Sequence, residues 1–97
     1  MWNLNSAQAF AEKLYLEYLD EAAFRHEQLC YLATEEPNNR AAHRMAERWL
    51  QRCLDALELG GEQALSVCLL RARSSSPAEI HVTTMLLQRL GRVAEQP

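Results

Sequence analysis

The side chains with chemical reach in this chain are three cysteines (Cys30, Cys53, Cys68), three histidines (His26, His43, His81) and nine arginines. A metal site requires His and Cys ligands at short, recurring spacings. On this reading the histidines are far apart, and none has a His or Cys neighbour at ligand spacing. The odd number of cysteines, without paired spacing, argues against a disulfide framework. Each cysteine falls on or beside an apolar helical face, where a free thiol behaves as a small hydrophobe. All three are therefore expected to be reduced and inaccessible. A Cys–His nucleophilic pair could be drawn from these residues, but chance alone supplies such combinations. No Gly-rich phosphate loop, G-x-S-x-G or H-E-x-x-H occurs. The expectation is no catalytic, cofactor-binding or metal-binding residue, and hence no enzyme.

The arginines carry the stronger pattern. Arg40, Arg44, Arg48 and Arg52 recur every four residues, a ladder that drifts about 40° per step around a helix. Guanidinium forks bind carboxylates and phosphates bidentately, so the ladder could line a groove for an acidic partner. Against this, Glu47, Asp55 and Glu58 are interleaved at spacings that suit helical ion pairs such as Arg44–Glu47 and Arg52–Asp55. Self-neutralisation of that kind would leave only a solvated face.

The element that must position the ladder is the segment 39–59. At about 100° per residue, Ala42, Met45, Ala46, Trp49, Leu50, Cys53, Ala56 and Leu57 gather on one side, with the charged residues opposite. Gly60-Gly61 closes it as a helix C-terminus. The pattern predicts an amphipathic helix with Trp49 in the core, covered by the other segments. A first helix over 6–35 precedes it, capped by Asn5 or Ser6 with Gln8 in capping-box position, and stopped by Pro37. The connection Glu35–Asn39 is short, with either Asn available as a cap, so the first two helices should be antiparallel neighbours.

Phe24 and Tyr31 do not fit that first helix. Seven residues apart, they fall among the acids of its outer face rather than with Leu14, Leu19 and Ala22. Either the helix bends near Asp20–Arg25 and turns both rings inward, or the rings form a second apolar surface that meets another chain. A homodimer is expected from the second reading, because a two-fold interface uses the same patch twice.

Two further helices follow. Segment 62–73 is apolar almost all round, which suits a central or interfacial position. Segment 77–92 opens with Ser76-Pro77-Ala78-Glu79, a capping box with proline in the first helical position. A Ser-rich turn joins this pair, and His81, Thr84, Gln88 and Arg92 share the outer face of the second, so a helix-turn-helix is the alternative reading. The turn lacks the usual glycine, however, and the charge balance is acidic.

The totals agree. Ninety-seven residues make one domain, 1–97, with 48% hydrophobic and 24% charged residues, an ordinary globular composition. The fold class expected is all-α, a small four-helix bundle-like domain with a long N-terminal helix antiparallel to a central amphipathic helix. Net charge is −3 and uneven. Residues 1–36 carry seven acids against Lys13 and Arg25, whereas 37–97 carry eight arginines against six acids. Arginine dominates the basic residues, as in a bacterial-like, GC-rich composition. The opening MWNLNSAQAF lacks a basic region and a long apolar run, so neither a signal peptide nor membrane insertion is expected, and the location expected is cytoplasmic. Function is then expected to be a protein-interaction module, a regulator or adaptor binding another protein through Phe24, Tyr31, Arg40, Arg44, Arg48 and Arg52. The alternative is a DNA-binding regulator using 62–92.

Overall fold

The computed structural model describes residues 4–72 and 76–95, with side chains for 5–72 and 76–92. Four helices form: α1 (Leu4–Glu35), α2 (Arg40–Leu59), α3 (Gly61–Ala72) and α4 (Pro77–Glu95). Among the described residues there is no strand. The all-α bundle expected from the sequence is therefore what the chain adopts.

Local chemistry accounts for most helix ends. Asn39 caps α2, its side-chain oxygen accepting from the Ala42 amide at 3.3 Å, while its Nδ2 donates to Glu36 Oε1 at 3.2 Å. Ser76 caps α4 by accepting from the Glu79 amide at 3.3 Å. The α2–α3 junction divides its work between two glycines. Gly61 takes the left-handed conformation, φ 57°, which a side chain resists. Gly60 is right-handed but leaves room for Tyr15, since a Cβ there would lie 2.7 Å from the ring. The cap that the sequence places at Asn5 or Ser6 does not form there, because α1 already begins at Leu4 and holds both residues inside the helix.

α1 packs most extensively on α2 and also contacts α3 and α4. The core draws on every helix: Leu19 and Ala22 from α1, Leu50, Cys53, Leu54 and Leu57 from α2, Ala64 and Cys68 from α3, Val82 and Leu86 from α4. Arg71 on α3 ties the ends together, reaching Asp20 of α1 and Glu79 of α4 at 3.5 Å each.

Two core assignments are corrected. Trp49 is not in the core; it is 40% exposed, and Met45 beside it is 63% exposed. The buried stripe of α2 is Ala46, Leu50, Cys53, Leu54 and Leu57, rotated roughly 50° from the face read in the sequence. That stripe packs with Leu19 and Ala22 of α1 and Val82 and Leu86 of α4, and on its flank Arg89 of α4 binds Gln51, Asp55 and Glu58. Cys30 is likewise exposed, whereas Cys53 and Cys68 are buried as expected. Cys30 lies on the flank of α1 beside Pro77, Ala78 and His81 of α4 and stays open to solvent.

Candidate protein-docking face on α1 and α2

α1 is one continuous helix through Asp20–Arg25, so the bend that would have hidden the aromatic rings does not form. Phe24 is 54% exposed and Tyr31 59% exposed. Seven residues make nearly two helical turns, which sets the two rings on one stripe about 10.5 Å apart along the axis. Both rings keep more than half of their surface in solvent.

Arg25 links this stripe to α2. Its guanidinium carbon lies 5.1 Å from the centroid of Phe24 and 5.1 Å from that of Trp49. Hydrogen bonds to Glu21 Oε1 and Gln28 Oε1, each 3.0 Å, fix the fork in place. The cation thus bridges two π-faces while its own charge is met by Glu21 at 2.9 Å. Arg52 approaches Trp49 from α2 itself, 5.9 Å from the centroid. Trp49 is therefore a rim residue held between two arginines, and its outer face is open.

Beyond Trp49 the outer side of α2 forms a shallow hollow of about 330 Å³, lined by Ala41, Arg44, Met45, Arg48, Trp49 and Arg52. Three rungs of the ladder line it; Arg40 is exposed at the start of the helix and does not. Among the described residues, no carboxylate lies within ion-pair distance of any of the four. The pairs Arg44–Glu47 and Arg52–Asp55 expected from spacing are absent. Their acids are engaged elsewhere, Asp55 by Arg89 of α4 and Glu47 by Gln51 of α2 itself. Arg89 Nη1 binds Asp55 Oδ1 at 2.6 Å and Glu58 Oε2 at 3.3 Å. Its Nη2 donates to Gln51 Oε1, and Gln51 Nε2 in turn donates to Glu47 Oε1 at 2.9 Å. Asp55 and Glu58 are thus held by α4 and Glu47 by Gln51, and among the described residues the ladder carries no ion pair.

The residues of the alternative reading are arranged differently. The His81 ring stacks on His26 of α1, centroids 4.3 Å apart and planes within 14°. Around them Glu27, Cys30, Pro77 and Ala78 complete a small hollow. Burial, and then the neighbouring His81, hold the His26 pKa below its usual value, with Glu27 opposing them. Thr84 spends its hydroxyl on the Ile80 carbonyl at 3.0 Å, while Gln88 and Arg92 are exposed. The first turn of α4, the part of a recognition helix that enters a groove, thus lies against an acidic helix.

That hollow also corrects the reading of the histidines. His26 and Cys30, four residues apart on α1, do meet, with Sγ 3.8 Å from Nε2. Their i,i+4 spacing was the available signal. Among the described residues no group of three His, Cys, Asp or Glu side chains is arranged to hold a metal ion. The two buried thiols are pushed up in pKa, Cys53 by burial and then Glu21, Cys68 to about 11 by burial and then Glu79. Trp2, a further aromatic residue that the sequence offers for partner binding, lies outside the described residues.

Among the described residues no helix is long and apolar enough to cross a membrane. No family model matches the chain, and no curated protein or solved structure matches it significantly.

Proposed function

We propose that this chain is a protein-interaction module, a regulator or adaptor that binds another protein through the joined outer faces of α1 and α2. The observation that supports it most is the grouping of Phe24, Tyr31, Met45 and Trp49, each at least 40% exposed, beside arginines with no carboxylate partner. Aromatic residues, methionine and arginine are the types enriched where protein interfaces concentrate their binding energy. Nothing in the face aligns a nucleophile with a base, so binding rather than catalysis is the role it suits. A cytoplasmic location is part of the same reading.

Self-association follows from the α1 stripe. Burying an exposed aromatic side chain is worth about 1.5–3 kcal/mol by area, and a two-fold interface through Phe24 and Tyr31 gains this on both subunits. The module is thus a homodimer whose α2 hollow stays open at the edge of the interface. Sedimentation of the wild type and of a Phe24→Glu, Tyr31→Glu variant tests this. The wild type should sediment as a dimer and the variant as a folded monomer. A folded wild-type monomer at high micromolar concentration would remove the homodimer from the proposal.

A further inference from the structure

We infer that the hollow on α2 receives an acidic amphipathic helix from a heterologous partner, its carboxylates on Arg44, Arg48 and Arg52 and a large apolar side chain over Trp49 and Met45. The inference rests on reading the α1–α2 face as a protein-docking surface, and it names the chemistry of the occupant. Charge complementarity carries it. The three guanidinium groups are exposed and, among the described residues, lack carboxylate partners, while Asp55 and Glu58 bind Arg89 and Glu47 accepts from Gln51. Each rung rises about 6 Å along the helix, so the three span about 12 Å. Carboxylates spaced i, i+4, i+8 on a second helix repeat at the same interval and match the ladder rung for rung.

The apolar half of the site selects against a purely ionic ligand. Trp49 and Met45 lie within the hollow and offer a soft, polarisable floor to an aliphatic or aromatic anchor. A helix suits the surface better than an extended segment. The backbone of α2 is closed in its own hydrogen bonds, so an extended segment would find no ladder to join, whereas a helix satisfies itself. Nucleic acid suits it less. A three-arginine stripe is short, and the net charge of the chain is −3, which would repel a phosphate backbone following the surface.

The probe is a labelled synthetic helix of about five turns carrying Glu at i, i+4 and i+8 with Leu on the adjoining stripe. Its companions are a Lys-for-Glu version and an Ala-for-Leu version. Fluorescence anisotropy with the full chain should show saturable binding of the first, at least tenfold weaker binding of both companions, and weakening as salt rises. Arg48→Glu should lower the affinity for the acidic helix at least tenfold and raise it for the Lys version, a reversal that a merely unfolded variant cannot give. Circular dichroism confirms that the exposed substitution leaves the fold intact. Equal binding of the Glu and Lys helices, or no binding of either, would overturn the inference. So would preferential binding of random duplex DNA with a steep salt slope. A wild type that dimerises through Phe24 and Tyr31 yet ignores the acidic helix would count against the occupant alone, leaving the docking reading standing.

Discussion

Replacing Arg89 with methionine tests the arrangement from its centre. Methionine keeps much of the aliphatic stem and removes only the fork. The Arg89 side chain is 22% exposed, against 66% for Asp55 and 33% for Glu58. Exposed ion pairs contribute about 0.2–1 kcal/mol each, and the Asp55 pair belongs at the lower end because its carboxylate is largely in water. The Glu58 pair and the hydrogen bond to Gln51 lie closer to the protein and contribute more, as charge-assisted bonds do. Arg89→Met should therefore destabilise the fold by about 1–2 kcal/mol. Urea unfolding should show a lower midpoint with an unchanged slope, since the surface buried on folding hardly alters. A double-mutant cycle should find weak coupling of Arg89 to Asp55 and stronger coupling to Glu58. The substitution also frees Asp55, three residues from Arg52, to turn back toward the ladder. Binding of an acidic helix should then weaken about two- to threefold, as befits one exposed i,i+3 pair, although Arg89 lies outside the hollow. A variant as stable as the wild type at low salt, with no coupling to either acid, would refute this account of how α4 is anchored to α2.

Two further expectations concern ionisable groups. Ellman titration of the native protein at about pH 8 should count one fast thiol, Cys30, with Cys53 and Cys68 appearing only on unfolding, since both are buried and shifted away from the thiolate. Fast native labelling of all three would place the core elsewhere. For His26 the native pKa is lowered from 6.5, so between the two values the unfolded chain binds more protons and stability rises with pH. The contribution is therefore a loss that begins as pH falls below 6.5 and is complete below the native pKa. Stability compared at about pH 7.5 and 5.5 should fall on acidification, and His26→Gln should flatten the fall if His81, Glu27 and Cys30 surround the ring as described.

What could be read from the sequence was mainly local. The Asn39 and Ser76 caps, the glycines after α2 and the stop before Pro37 each depend on residues within a few positions, and each forms where the pattern placed it. The misfit of Phe24 and Tyr31 with the apolar face of α1 was legible for the same reason. The rotation of α2 was not, because the apolar residues on both sides of Leu50 permit more than one setting. The choice falls to residues distant in sequence, since Leu19, Ala22, Val82 and Leu86 bury Leu54 with Leu50 and leave Trp49 at the rim. Cys30 was misplaced by a similar margin, as a flank position is buried only if a neighbouring helix extends over it.

The same tertiary contact explains why the arginines of α2 lack the ion pairs that their spacing offers. Within an isolated α2, Glu47 and Asp55 would pair with arginines three residues away for about 0.2–0.5 kcal/mol each, contributions that salt screens readily. Arg89 competes on better terms. Its half-buried guanidinium must be satisfied, because leaving it without acceptors would cost more than those exposed pairs return. It therefore captures Asp55 and Glu58 directly and Glu47 through Gln51. The surface pairs lose, and Arg44, Arg48 and Arg52 face solvent beside Trp49. The cationic stripe is thus a consequence of how α4 is anchored to α2, and a change at that anchor should reach the docking face with no residue of the face being altered.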